Sequence, residues 1–229
     1  PRRLTSGGIV PGSSSSSNSG ACGSEEREAS PMTALLRPGL VVLDGLLAPH
    51  ELARVIEIVG GLQFEDQDLG RGVLARRQRA ETDNPKVPEL LWQRLAPQLP
   101  PMGAFFDGGP GTPRLDPPVS RWAGIGCNPR TRFYRYRLGA AFSEHEDEPW
   151  KPDLLTRSLL TVLVYLPCDD RCVGGETVIE GEVIAPVAGR AVVFDHGLLH
   201  EGRPVERGQK LVLRSDVVAR PADRSAAET

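Results

Sequence analysis

The sequence has no long hydrophobic run and no excess of basic residues. No apolar stretch reaches the length of about 18 residues that a membrane-spanning helix needs, so we expect a soluble chain without a membrane partner. The chain carries 27 Lys and Arg against 30 Asp and Glu, a formal net charge of -3. Because nucleic-acid-binding domains usually carry a clear basic excess, this balance argues against a general nucleic-acid binder.

Cysteine is also scarce. The four cysteines, Cys22, Cys127, Cys168 and Cys172, are too few and too scattered for a small disulfide-bonded scaffold. The Cys168-x3-Cys172 spacing could form a bridge or half of a metal site, but no second pair completes it. We interpret both residues as ordinary loop cysteines and expect a reducing compartment, cytoplasmic or nuclear.

The termini are polar. Residues 1–33 are predicted to be disordered, because they are rich in Ser, Gly and charge and have almost nothing to bury. Their opening is basic, Ser-rich and free of acidic residues before Glu25, as in an organelle transit peptide. An ordinary tail is the preferred interpretation. Met32 could be a start site. We predict one domain over residues 34–219 and a polar tail over 220–229.

Two amphipathic helices are predicted after a short strand at residues 40–43. The first begins at Pro49 and ends at Gly60-Gly61, with apolar residues recurring at positions i, i+3, i+4 and i+7 from Leu52. The second begins at Pro88 and stops at Pro97. We expect both helices to be packing elements.

Two segments around the second helix have no regular pattern. The basic cluster at residues 76–79 is interpreted as a solvated face rather than a substrate-binding one. Residues 97–130 are dense in Pro and Gly, which predicts either a lid or substrate-contacting wall, or a disordered insertion.

From residue 132 onward the chain consists of short β-rich runs separated by turn residues. This texture predicts a mainly β fold with flanking α, a sandwich or jelly roll whose core spans about residues 130–219 and whose sheet is packed by the N-terminal helices. The predicted strands are RFYRYRL, SLLTVLVYL, ETVIEG, VIAPV, GRAVVFDH and KLVLRSDVV.

Strand alternation predicts a polar pocket inside this fold. Thr161 and Tyr165 share one face of LLTVLVYL, while Lys210 and Arg214 share one face of KLVLRSDV. Two cations inside a barrel are costly unless they meet an anion there, so the pocket is predicted to take an acidic ligand. Tyr134 and Tyr136 also share a face of the strand that leads toward His145.

His145-x-Asp147 is the strongest metal-binding pattern. In an extended chain, residues two apart point to the same face and could reach one ion together. A third ligand must come from elsewhere, and the run FDHGLLHEG offers His200 and His196. Two His and one carboxylate on one side of a metal suit non-haem iron(II), and zinc is the main competitor for the same ligands.

Several blocks in one order make the chain similar to a known family. RFYRY-x-x-G, F-x-x-H-x-D, LLTVLVYL, GGET, the AVVFDH-x-x-x-HEG run and PV-x-x-G-x-K resemble the iron(II)/2-oxoglutarate-dependent dioxygenases, within them the prolyl 4-hydroxylase-like branch. The resemblance covers residues 132–218 and, more weakly, 40–60. It implies a double-stranded β-helix, that is, a jelly roll. The chain departs from the family at Pro167, where the family often has Asn.

The resemblance also implies roles for individual residues. It assigns the iron to His145, Asp147 and His200, with His200 preferred because Glu-Gly follows it and Lys210 lies ten residues further on; His196 is then a buried supporting histidine. Lys210 would pair with the distal carboxylate of 2-oxoglutarate. The further co-substrate residues implied are Tyr165, Tyr136, Arg214 as a second cation, and Thr177.

The implied activity is hydroxylation with iron(II), 2-oxoglutarate and O2, with release of succinate and CO2 and with L-ascorbate as reductant. No catalytic residue is expected beyond the metal centre. A peptidyl proline is the substrate by resemblance alone, and a small molecule is the alternative, because loop sequence does not reveal what a pocket holds. The rival from another class is a non-catalytic metal-binding jelly-roll module, and a zinc hydrolase is a third interpretation.

Overall fold

The computed structural model describes residues 32–67, 77–106, 112–168 and 172–222. The helices are α1 (Pro49–Gly60), α2 (Lys86–Leu95) and α3 (Met102–Phe106), with 3-10 turns at Ala96–Gln98 and Val119–Arg121. The strands are β1 (Met32–Arg37), β2 (Leu40–Asp44), β3 (Glu65–Gln67), β4 (Arg77–Thr82), β5 (Trp122–Cys127), β6 (Thr131–Tyr136), β7 (Phe142–His145), β8 (Arg157–Leu166), β9 (Val173–Gly174), β10 (Thr177–Ile179), β11 (Glu182–Ile184), β12 (Ala191–Asp195), β13 (His200–Gly202), β14 (Val205–Arg207) and β15 (Lys210–Pro221).

The strands form a jelly roll, as the sequence predicts. The large antiparallel sheet runs in the order β1-β2-β12-β8-β15-β6-β4-β3, and β5 pairs with the far end of β15. A smaller sheet runs in the order β11-β10-β13-β7. One buried cluster, which includes Tyr165, Ile179 and Phe194, draws its residues from both sheets. The two sheets therefore face each other, and the site lies between them.

The helices pack on the other face of the large sheet. Val55 of α1 and Leu91 of α2 belong to the same buried cluster as Val162 and Val164 of β8. The alternation predicted for β8 is confirmed, because these valines face the helices while Tyr165 belongs to the cluster between the sheets. None of the helices in the described ranges is long and apolar enough to span a bilayer.

The helix predictions are close to the observed bounds. Helix α1 begins at Pro49 as predicted, and a Glu51 carboxylate oxygen accepts the Ala48 backbone N–H at 2.9 Å, which caps its first turn. Helix α2 begins at Lys86, two residues before the predicted start at Pro88. Proline has no backbone N–H, and the first four N–H groups of a helix have no partner within the helix. Proline therefore also fits the third position of a helix.

Residues 97–130 differ from both of the predicted alternatives. Phe105 and Phe106 of α3 and Trp122 of β5 are buried on the helical side of the large sheet. In the described parts, this segment therefore builds core rather than a lid or a disordered insertion. Three large aromatic side chains supply the apolar area for this packing, although the segment has no periodicity.

The two ends of the described chain are strands. Strand β1 includes Met32 and Thr33, which the sequence places in a disordered segment, and the rest of that segment lies outside the described residues. Strand β15 extends to Pro221 because its end pairs with β5, which the sequence did not predict as a strand.

Candidate metal centre

The predicted metal ligands lie together at one edge of the small sheet. Strands β7 and β13 are antiparallel neighbours, and their register places His145 directly opposite His200. Asp147 follows two residues after β7, and its backbone N–H donates to the His196 carbonyl oxygen at 2.9 Å. One donor atom from each of His145, Asp147 and His200 lies within 4.8 Å of the other two. The three side chains can therefore reach a single ion.

The two imidazoles are oriented for metal binding. His145 Nδ1 lies 2.9 Å from the Ser143 carbonyl oxygen, and His200 Nδ1 lies 2.9 Å from the Leu198 carbonyl oxygen. Because a carbonyl oxygen only accepts, each Nδ1 carries the proton and each Nε2 presents its lone pair toward Asp147. Burial lowers the pKa of both rings, that of His200 to about 4. Neutral imidazoles beside one carboxylate fit a divalent cation.

Asp147 is held as a carboxylate. Burial alone would raise its pKa, but Arg214 and His200, together with the Thr161 hydroxyl, lower the pKa to about 2. Arg214 Nη2 lies 3.0 Å from one carboxylate oxygen, and Thr161 Oγ1 donates to the other at 2.5 Å. The negative charge of the candidate ligand set is thus fixed in place by two side chains of the large sheet.

His196 is engaged through both ring nitrogens. The single Thr161 hydroxyl proton goes to Asp147, so His196 Nδ1 must donate to Thr161 Oγ1, at 2.9 Å. Ser158 Oγ accepts the Trp150 backbone N–H and can therefore donate to His196 Nε2, at 2.8 Å. No lone pair of His196 remains for a metal, which favours His200 as the third ligand and leaves His196 in a supporting chain of hydrogen bonds.

A small cavity of about 170 Å³ opens beside the three candidate ligands. This volume is below the usual range for drug-sized ligands and suits a small acid. The lining residues are Arg77, Tyr134, Tyr136, Phe142, His145, Asp147, Leu163, Thr177, His200, Glu201, Gly202, Lys210, Val212 and Arg214. Four of the five predicted co-substrate residues are in this wall.

Lys210 is a buried cation in this wall with no ion-pair partner among the described residues. Its Nζ donates to the Gly175 carbonyl oxygen at 2.6 Å and lies 4.4 Å from the centre of the Tyr136 ring. Burial lowers the pKa of Lys210 to about 8. A buried ammonium group in this position is costly unless an anion joins it, which matches the predicted acidic ligand.

Arg214 is differently placed. It lies between Asp147 and Asp216, with Nη2 at 3.0 Å and 3.3 Å from the nearest oxygen of each. Burial would lower the pKa of Arg214, but these two carboxylates raise it above its usual range. Its charge is already matched within the chain, so Lys210 is the better anchor for an added carboxylate.

Tyr165 lies behind the cavity wall rather than in it. Its hydroxyl donates to Thr177 Oγ1 at 2.7 Å, and Thr177 lines the cavity. Because Thr177 accepts this bond, its own hydroxyl proton can turn toward an acceptor in the cavity. Thr177 is therefore placed to donate to an anion in the cavity, and Tyr165 contacts Thr177 from behind.

Sequence reasoning missed Arg77, and the interpretation of residues 76–79 as a solvated face is wrong for this residue. Arg77 is 9% exposed and lines the cavity. Its side chain is buried because β4 pairs with β6, which places Arg77 opposite Tyr136. Strand β4 reads RQRAET and has no apolar alternation, so only the cross-strand register could have indicated that Arg77 points inward.

A comparison with protein-family models gives a match within the β core. The family model of the 2OG-Fe(II) oxygenase superfamily matches residues 131–215, the stretch from β6 to β15 that carries all three candidate ligands. This part of the chain is therefore similar to the 2OG-Fe(II) oxygenase superfamily. No curated protein sequence gives a significant match to the chain.

Several solved structures share the fold of this chain. A 2OG-Fe(II) oxygenase-family oxidoreductase from Burkholderia pseudomallei is 19% identical, with a TM-score of 0.52 over 81% of this chain and 88% of that one. A prolyl-4-hydroxylase from Pseudomonas putida is 19% identical, with a TM-score of 0.51 over 81% and 94%. A Trichoplax adhaerens prolyl hydroxylase in complex with a hypoxia inducible factor peptide fragment is 16% identical, with a TM-score of 0.51 over 79% and 84%. At these identities the likeness establishes the fold alone.

Proposed function

We propose that the chain is an iron(II)- and 2-oxoglutarate-dependent dioxygenase that hydroxylates its substrate and releases succinate and CO2. The observation that carries this proposal is one cavity with three metal-type ligands at one side and an unmatched buried cation, Lys210, in the same wall. A hydrolytic zinc site has no general need for such a cation. The superfamily match supports the same conclusion.

The residues have separate tasks in this proposal. His145, Asp147 and His200 would hold the iron, while Lys210 and Thr177 would bind the distal carboxylate of 2-oxoglutarate. When bound, iron(II) with 2-oxoglutarate supplies oxidative decarboxylation and delivers one oxygen atom to a C–H bond. The protein contributes orientation, charge and exclusion of water, since the His145 and His200 rings pack against Phe142 and Phe194.

Two alternative classes of substrate are proposed. A peptidyl proline follows from the prolyl 4-hydroxylase-like resemblance, and two of the structures that share the fold are prolyl hydroxylases. A small molecule is the alternative, because a shared fold does not determine which substrate a pocket takes. L-ascorbate is the proposed reductant.

A succinate-release assay tests the activity. The protein with iron(II), 2-oxoglutarate and ascorbate under air should release succinate slowly even without a substrate, and faster with a compound from a set of proline-rich peptides and small metabolites. Anaerobic addition of iron(II) and 2-oxoglutarate should give a weak visible charge-transfer band. Folded protein that gives neither succinate nor the band would instead indicate a non-catalytic module.

Lys210→Met should weaken 2-oxoglutarate binding by roughly 30-fold or more, because truncating one partner of a buried charge pair costs about 2 kcal/mol or more. The dissociation constant can be measured by titrating the anaerobic charge-transfer band. Lys210→Arg keeps the charge and should recover part of the affinity. Unchanged affinity in Lys210→Met would assign the anchor to another residue.

The wild-type affinity should also depend on pH. The Lys210 ammonium group is charged below its pKa of about 8 and neutral above it, so affinity for the dianion should fall as the pH rises through this value. Lys210→Met should lack this dependence.

A further inference from the structure

Arg77 is the second buried cation of the cavity whose charge has no carboxylate partner among the described residues. Its guanidinium lies between two aromatic rings, with Cζ 4.0 Å from the centre of Tyr134 and 3.8 Å from the centre of Phe142. Nε donates to Gln67 Oε1 at 3.0 Å, and Nη1 donates to the Tyr136 hydroxyl at 3.1 Å. All four partners are neutral. They fix the position and plane of the group without balancing its charge.

The other charged groups of the cavity are accounted for. Arg214 is matched by Asp147 and Asp216. The carboxylate of Glu201 is 40% exposed and lies 3.9 Å from Arg203. Lys210 receives the distal carboxylate of 2-oxoglutarate, a step that rests on the proposed function. With the co-substrate in place, Arg77 remains as an unmatched buried charge.

The two unmatched cations sit on different sides of one tyrosine. Arg77, Tyr136 and Lys210 face one another in register across β4, β6 and β15. Arg77 contacts the hydroxyl of Tyr136, whereas Lys210 lies over its ring. Tyr136 therefore stands between two separate positions for an anion, one at Lys210 and one at Arg77.

We propose that Arg77 recognises a carboxylate on the primary substrate of this dioxygenase. A buried guanidinium is stable only with an anion or with a full set of acceptors, and the described residues supply two acceptors for its five N–H groups. Its planar edge matches the two oxygens of a carboxylate. The neighbouring metal centre would then act on a C–H bond of an acid, either a small carboxylic acid or a peptide with an acidic side chain.

The recognition step can be tested without turnover. The probes are trifluoroacetate and its neutral counterpart 2,2,2-trifluoroacetamide, followed by 19F NMR in the presence of protein, Zn(II) and saturating 2-oxoglutarate. Wild-type protein should bind trifluoroacetate at least ~10-fold more tightly than the amide, and Arg77→Gln should lose this preference. Arg79→Gln is the matched control, because Arg79 lies on the same strand, pairs with Glu81 and does not line the cavity.

Three results would overturn the proposal. The first is that wild-type protein does not bind trifluoroacetate, and the second is that it binds the acid and the amide equally. The third is that 2-oxoglutarate displaces trifluoroacetate, which would assign Arg77 to the co-substrate. If Arg77→Gln does not fold, Arg77→Lys keeps the charge without the planar fork and should bind trifluoroacetate more weakly than wild type. The 1H signals of 2-oxoglutarate in the same samples report co-substrate binding, so failure of the proposed function is detected separately.

Turnover then identifies the source of the carboxylate. Stimulated succinate release is compared for L-proline against L-prolinamide, and for an acetylated, amidated Gly-Pro-Glu peptide against its Gly-Pro-Gln counterpart. A preference for the acid in the first pair indicates a small carboxylic acid, and a preference in the second indicates an acidic peptide. Stimulation that ignores the carboxylate in both pairs would contradict the role of Arg77.

Discussion

His200→Ala should abolish both the anaerobic charge-transfer band and succinate release, while His196→Ala should retain the band at saturating iron(II). The two histidines are four residues apart, but only His200 has an Nε2 directed at Asp147 with no hydrogen-bond partner among the described residues. His196 uses both nitrogens to bond Thr161 and Ser158. Visible absorption under argon and metal analysis of the purified variants measure the difference.

The His196→Ala variant should still show a reduced affinity for iron(II), by about 10–100-fold, since residues that orient a metal ligand typically contribute this much. The imidazole of His196 is hydrogen-bonded to Asp147 through Thr161, so Thr161→Val should give a loss of similar size. The assignment of ligands is wrong if His196→Ala loses the band at saturating iron(II) while His200→Ala keeps it. Circular dichroism and thermal unfolding of each variant check that the loss does not come from misfolding.

The strands of the jelly roll could be predicted because their faces differ in chemistry. In β8, the residues toward the helices are apolar, while Thr161 and Tyr165 face the small sheet, and this contrast is visible in the sequence alone. His145 and Asp147 were predicted as candidate ligands in the same way, because residues two apart in a strand share a face. These features are local, and a period of two residues is enough to define them.

The features that the sequence did not predict depend on pairing between distant strands. The place of Arg77 is set by the register of β4 against β6, and the position of Tyr165 behind Thr177 is set by the packing of the two sheets. The ion-pair partners of Arg214, Asp147 and Asp216, could not be predicted from strand alternation, which predicts only that the side chain points inward. Long-range register is decided by the whole core, so it leaves no signal in a short stretch of sequence.

Arg214→Leu should lower the free energy of unfolding of the metal-free protein by about 3–5 kcal/mol, the usual cost of removing one partner from a buried ion pair. The guanidinium lies between Asp147 and Asp216, and all three side chains are largely buried, with 12%, 11% and 4% exposure. Without Arg214, two buried carboxylates of like charge face each other. Urea denaturation at pH 7 measures the loss, and Arg79→Gln, which breaks a more exposed pair, should cost less than about 1 kcal/mol.

The pH dependence of this loss separates charge from packing. In the wild-type protein the pKa of Asp147 is lowered from 3.8 to about 2, so its contribution is present above about pH 4 and is lost as the pH falls toward 2. In Arg214→Leu, burial without a cation should raise this pKa, so the stability of the variant should increase when the pH falls from 7 to 5.

A further substitution, Asp216→Asn, removes one of the two opposed charges and should recover part of the lost stability at pH 7. Zn(II) should also stabilise the variant, because a divalent ion replaces the missing positive charge beside Asp147. If Arg214→Leu loses stability equally at pH 5 and pH 7 and does not respond to Asp216→Asn, its role is packing rather than charge.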